Sequence, residues 1–121
     1  MTLVATVLTA VVALVHVGIV VLEMVLWDTP RGRAIFGTTP DQAVQSKVLA
    51  ANQGLYNGFL VAGLVLALVG PEAHRFAFAV FTLSCVVVAG LYGALTVSPR
   101  ILWVQTVPAA LALAAQLAAQ G

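Results

Sequence analysis

Charged side chains are scarce in this sequence. It holds five Lys or Arg and four Asp or Glu residues among 121, whereas charged residues make up about a quarter of a soluble domain. So few charges cannot cover a surface that faces water, and much of the outside must therefore face an apolar medium. The chain also has one cysteine, Cys85, which excludes an intrachain disulfide. With a net charge of +1 and no basic tract, no nucleic-acid partner is expected.

Apolar residues fill the space between the charges. Hydrophobic residues make up 62% of the chain and form four runs near the ~20 residues needed to cross the ~30 Å core of a bilayer. Because lipid offers the backbone no hydrogen-bond partner, such runs must be helical. The sequence therefore predicts an all-α integral membrane four-helix bundle, one transmembrane domain with both termini on the same, outer side. Its helices are expected at about 2–27, 40–69, 72–97 and 99–119, with an interfacial linker at 28–39 and the domain covering 1–121.

Turn and cap residues agree with these boundaries. Thr39 and Gln42 form a capping box around Pro40, which predicts the start of the second long helix. Gly70-Pro71 should end that helix, and Ser98-Pro99 should begin the last one. The distribution of Lys and Arg then predicts that the first and third linkers are cytoplasmic. Those linkers carry Arg31, Arg33, Lys47 and Arg100, and the opposite side carries Arg75.

Polar residues within the spans follow helical periodicity. In the first span Thr2, Thr9, His16 and Glu23 recur every seven residues, a stripe that should face other helices and not lipid. In the second span a polar arc of about 140° faces one side, and a ridge of small residues faces the other. The arc holds Asn52, Gln53, Tyr56 and Asn57, and the ridge holds Ala50, Gly54, Gly58 and Ala62.

All four spans place polar side chains in their cytoplasmic halves, which predicts a pocket there. Glu23 is the candidate acid/base or charge partner, because a carboxyl in a membrane span is expensive unless it is paired or functional. Arg31 and Arg33 are expected at the mouth of the pocket. His16 has no set of metal ligands around it, so no metal is expected, and no cofactor is indicated. The candidate ligand contacts are Trp27, Lys47, Asn52, Gln53, Tyr56, Asn57, Tyr92 and Gln105.

Two segments carry a resemblance. Residues 22–33 read LEMVLWDTPRGR and residues 47–59 read KVLAANQGLYNGF. They resemble a bacterial family of small four-span membrane proteins, the domain of unknown function 1304, over nearly the whole chain. The resemblance implies a four-helix fold in the bacterial inner membrane and supplies no activity.

Three functions fit these observations. The favoured one is binding, with or without transformation, of a small amphiphilic molecule or lipid in the polar pocket. The second is a dimeric proton-coupled exporter, with the layout but not the motifs of the small multidrug-resistance transporters. The third is a structural or accessory protein in which Glu23 pairs with Arg31, Arg33 or Lys47. Membrane lipids and a homo-oligomeric partner are compatible with each.

Overall fold

A computed structural model describes residues 2–120 and shows an all-α protein. Four of its helices are long and apolar enough to cross a membrane: Leu3–Met24, Pro40–Val69, Glu72–Thr96 and Leu102–Gln120. The chain is therefore a multi-pass membrane protein, and the all-α class predicted from its composition is confirmed. The elements in order are α1 (Leu3–Met24), α2 (Pro30–Phe36), α3 (Pro40–Val69), α4 (Glu72–Thr96), a π-helical turn (Leu102–Thr106) and α5 (Val107–Gln120).

The linker between the first two spans contains a helix of its own. The Thr29 side chain accepts a hydrogen bond from the Gly32 amide at 3.2 Å, and Pro30 follows this cap, so α2 begins there. It ends at Gly37, whose φ of 67° is left-handed. The Leu26 amide donates to the Val21 carbonyl five residues back, which closes the end of α1. The first helix is consequently shorter than the expected range of 2–27.

Both expected ends of α3 are present. The Thr39 amide donates to Gln42 Oε1 at 2.9 Å, and the Gln42 amide donates to Thr39 Oγ1 at 3.2 Å. This reciprocal pair is the capping box that the sequence predicts, and it satisfies two amides that would otherwise lack partners. The helix ends at Val69, immediately before Gly70-Pro71.

The last span departs from a regular helix near its start. The Val107 amide donates to the Leu102 carbonyl, five residues back, which makes Leu102–Thr106 a π-helical turn. Pro108 has no N–H and its ring crowds the carbonyl four residues before it, so a widened turn at this place has a physical cause. Regular α-helix resumes at Val107. The helical segment itself begins at Arg100, directly after Ser98-Pro99 and within one residue of the expected start at residue 99.

The chain divides into two compact units, one of residues up to Val15 together with those from Leu60 onward, the other of His16–Phe59. α1 and α3 contribute to both. In the first unit the largest core side chains are Leu64 and Leu83, packed with Val12, Val86 and five alanines.

Glycines let helices of the first unit approach closely. A methyl group added to Gly63 would overlap the Thr82 side chain, and one added to Gly90 would overlap the Thr106 hydroxyl. Small residues at such crossings are how membrane helices gain packing contacts without a hydrophobic driving force.

A buried hydrogen bond joins the first and last spans in this unit. Gln116 Nε2 donates to Thr9 Oγ1 at 3.0 Å, and both residues are almost fully buried. We expect Thr9→Val and Gln116→Leu to show a coupling energy of about 0.6 kcal/mol in a double-mutant cycle, the average for such bonds in membrane proteins. Unfolding of the four proteins in bicelles would measure it. Strictly additive losses would show that the bond contributes no stability.

Candidate functional site

The polar stripe of α1 faces protein, as the seven-residue spacing predicts. Thr9 and His16 are fully buried and Glu23 is 9% exposed, while Thr2 at the end of the chain is exposed. His16 has an interaction partner. His16 and Glu23, the two members of the stripe nearest the C-terminal end of α1, belong to the second unit. Glu23 is the centre of the candidate site.

Glu23 is held by a neutral side chain. Asn57 Nδ2 donates to Glu23 Oε1 at 2.6 Å, which joins α1 to α3. Both residues are 9% exposed, so the pair is buried but not sealed. Within residues 2–120 the ion pair lies elsewhere, between Arg33 and Asp28 at 3.1 Å. The structural alternative pairs Glu23 with Arg31, Arg33 or Lys47. In place of such an ion pair the structure has a hydrogen bond from an amide, which does not cancel a carboxylate charge.

Gly54 makes this pair possible. A methyl group on Gly54 would lie 3.2 Å from Glu23 Cβ and would overlap the Met24 side chain. Ala50, one turn earlier, is also buried at 6% exposure. Gly58 has nothing within 4 Å of an added methyl, and Ala62 is exposed. The predicted ridge of small residues is therefore packed at Ala50 and Gly54, and open at its other two members.

Trp27 contacts both the linker helix α2 and the start of α3. Its indole Nε1 donates to Ser46 Oγ at 3.1 Å, and its ring centroid lies 4.8 Å from that of Phe36 in α2. Gly32 of α2 lies against the Leu26 carbonyl, where a methyl group would overlap it. These contacts tie the end of α1, α2 and the start of α3 together. The expected ligand contact of Trp27 stays a prediction.

The predicted polar arc of α3 is split by the structure. Asn57, at one edge of the arc, faces Glu23, whereas Asn52, Gln53 and Tyr56 are exposed. We call the exposed surface formed by Leu49, Asn52, Gln53 and Tyr56 the amide face. Tyr56 packs edge-on against the Phe59 ring, with centroids 5.9 Å apart. The expected pocket cations Arg31 and Lys47 are exposed, and Arg33 is engaged by Asp28.

The other two expected ligand contacts belong to the first unit. Gln105 is half-buried and has an interaction partner. Tyr92 is 70% exposed and borders a groove of about 550 Å³ along one face of α4. The groove is lined by Phe81, Ser84, Cys85, Val88, Ala89 and Tyr92.

Sequence reasoning missed Gln116, a polar residue in the interior of the last span. Gln116 lies in an alanine-rich run of the last span, which the sequence analysis did not single out, and it is 2% exposed. The sequence contains a signal for this burial. Lipid offers a side-chain amide no hydrogen-bond partner, so a single glutamine in an apolar run is expected to bond to another helix. Its partner, Thr9, was already assigned to the buried stripe of α1.

Comparison with known proteins gives a family. A family model described as Protein of unknown function (DUF1304) matches residues 10–117. The chain belongs to this family. The match covers both members of the Glu23–Asn57 pair, and it confirms the resemblance drawn from the two quoted segments. No curated protein and no solved structure matches the chain. DUF1304 membership assigns no activity, so function has to be argued from the site.

Proposed function

We propose that this DUF1304 protein binds a small amphiphilic molecule within the membrane, with the Glu23 carboxyl as the contact for its polar head. The observation that supports this is the hydrogen bond from Asn57, a neutral donor, to a carboxyl buried in an apolar span. A carboxylate that has only a structural role in a membrane span is normally paired with a cation. The Asn57 amide supplies a hydrogen bond but no positive charge.

The proposed ligand has a head that donates hydrogen bonds, such as an amine or hydroxyl, and an apolar tail. A carboxylate accepts several hydrogen bonds, so the bond from Asn57 leaves acceptor capacity for a second donor. A hydrogen bond to a charged group contributes about 1.5–3 kcal/mol. The apolar side chains of the spans and the surrounding lipid would hold the tail. Glu23 could also exchange a proton with such a head, the acid/base role expected from the sequence.

Native mass spectrometry would test the proposal on protein extracted with its own membrane lipids. We expect a bound amphiphile on the wild-type protein and at least tenfold lower occupancy on Glu23→Gln, since the uncharged amide binds the donor head more weakly. Glu72→Gln is the matched control, because Glu72 is exposed in the first turn of α4. Equal occupancy on wild type and Glu23→Gln, or a wild-type protein without any adduct, would refute a ligand contact at Glu23.

A structural role is the second candidate, and one observation favours it. The Glu23–Asn57 bond and the contact of Gly54 with Met24 together fix how α1 crosses α3. In a purely structural or accessory protein, Glu23→Gln would change neither stability nor ligand occupancy, because the glutamine oxygen can accept the same hydrogen bond from Asn57. The same mass spectrometry experiment therefore separates the two candidates.

We further propose the bacterial inner membrane as the location, with the first and third linkers in the cytoplasm. Arg31 and Arg33 lie in the first linker, Lys47 directly precedes the apolar run of α3, and Arg100 lies at the start of the last span. This excess of cations at one end of the spans supports the orientation. We expect Ala73→Cys to react with an impermeant maleimide added to intact cells, and Thr38→Cys to react only after the cells are opened. Cys85→Ser provides the background, because Cys85 is the native thiol. Labelling of position 38 from outside would reverse the orientation.

A further inference from the structure

The amide face of α3 is polar, exposed and within a membrane span. The apolar run of this helix begins at Val48, directly after Lys47. At 1.5 Å per residue, Asn52 lies ~6 Å and Tyr56 ~12 Å along that run. These side chains are thus one to two helical turns inside the segment that crosses the bilayer.

Polar groups at this depth need partners. An amide moved into an apolar medium without a compensating hydrogen bond costs about 2–7 kcal/mol. Asn52 and Gln53 are exposed, so lipid chains would surround them in the isolated protomer. Amides in membrane helices usually resolve this by hydrogen bonding across to another helix.

The members of the amide face form one continuous surface. Relative to Asn52, helical geometry places Tyr56 at about 40°, Leu49 at about 60° and Gln53 at about 100°. Leu49 is 72% exposed and Tyr56 is 66% exposed. A stripe of about 100° is the width of the face that a helix typically buries against its neighbours.

The chemistry of this surface selects its occupant. Each Asn or Gln side chain carries both donors and an acceptor, so two identical amide faces satisfy each other. No member of the face is charged, and Lys47 lies about 170° from its centre, on the opposite side of α3. A charged lipid headgroup would find no counter-charge there.

We propose that the amide face binds the amide face of a second copy of this chain. Two copies inserted with the same orientation are related by a two-fold axis along the membrane normal, which makes the contact isologous. Leu49 then lies near Leu49 of the second copy, with amide hydrogen bonds on either side. This dimer gives Asn52, Gln53 and Tyr56 a role different from the ligand contact expected from the sequence.

Disulfide trapping tests the geometry. In a Cys85→Ser background, we expect Leu49→Cys to form a disulfide-linked dimer when isolated membranes are oxidised. Leu55→Cys is the matched control, because it replaces another exposed leucine of α3 that lies about 120° away from Leu49. Equal linkage at the two positions, or linkage at position 55 alone, would overturn the proposal.

The strength of association tests the chemistry. We expect the combined change Asn52→Leu and Gln53→Leu to weaken dimerisation at least tenfold, equivalent to about 1.4 kcal/mol. Monomer and dimer fractions in vesicles at falling protein-to-lipid ratio would measure this. The changed residues are exposed, so the protomer is expected to keep its helicity.

Other occupants predict other results. Unchanged dimerisation in the double variant would refute the amide contact. A lipid adduct that is lost in the double variant, with no wild-type dimer, would assign the face to a headgroup instead. Glu23→Gln should leave the Leu49→Cys linkage intact, so failure of the ligand proposal and failure of the dimer proposal are distinguishable.

Discussion

Gly54→Leu is expected to destabilise the protein by about 3 kcal/mol, the upper end of the range for overpacking. The first added carbon already overlaps Met24 and lies 3.2 Å from Glu23 Cβ, and leucine adds three more. The partly exposed Met24 side chain can rotate away, but Glu23 Cβ is fixed to the backbone of α1. The remaining overlap is relieved only when α1 and α3 separate, which would lengthen the hydrogen bond from Asn57 to Glu23. The free energy of unfolding in bicelles, followed by tryptophan fluorescence, measures the loss.

Gly58→Leu is the matched control for this prediction. Gly58 lies one turn further along the same helix, and an added methyl group there has nothing within 4 Å. Replacing a helical glycine removes a propensity penalty of about 0.8 kcal/mol, so this variant should be as stable as wild type or slightly more stable. Equal losses in the two variants would show that Gly54 is not the point of close approach.

Asn57→Leu is expected to cost about 3 kcal/mol, because it leaves the Glu23 carboxyl buried without its donor. Glu23→Gln should stay within about 1 kcal/mol of wild type, since the glutamine oxygen can accept the same hydrogen bond. Replacing both partners with leucine should recover most of the loss, as is general when a buried polar pair is removed together. Unfolding free energies of these three variants and of the wild type measure the losses.

The outcome that contradicts this prediction is equally specific. If Asn57→Leu is as stable as wild type, the carboxyl must obtain another partner when Asn57 is lost. If the double leucine variant is as unstable as Asn57→Leu, the loss comes from packing of the new side chain at position 57. Either result would show that the hydrogen bond to Glu23 is not the reason why the Asn57 amide is buried.

The spans and both ends of α3 were predictable because they follow from local chemistry. A charge that ends an apolar run, or a Thr39–Gln42 capping box, acts through residues that are close in sequence. The buried stripe of α1 was predictable for a related reason. A carboxyl at Glu23 and an imidazole at His16 cannot face lipid, so periodicity alone decides which side of the helix faces protein.

The site itself was only partly predictable, because periodicity gives the face of a residue but not its neighbour. Tyr56 and Asn57 are adjacent in sequence and about 100° apart on the helix, and one is exposed while the other binds Glu23. Gly54 and Gly58 share a spacing that suggests a common ridge, yet two crossing helices touch over a short length. Gly54 lies at the point where α1 crosses α3, so a larger side chain is excluded there and not at Gly58.

The two interhelical hydrogen bonds differ in when they can form during synthesis. Glu23 and Asn57 are 34 residues apart, whereas Thr9 and Gln116 are 107 apart. At about 5–20 residues per second, the ribosome supplies the partner of Glu23 within about 2–7 s and the partner of Thr9 only after about 5–20 s. A nascent chain that ends after α3 can therefore already supply a hydrogen-bond donor to the buried Glu23 carboxyl, whereas the Thr9 hydroxyl has its partner only after the last helix has entered the membrane.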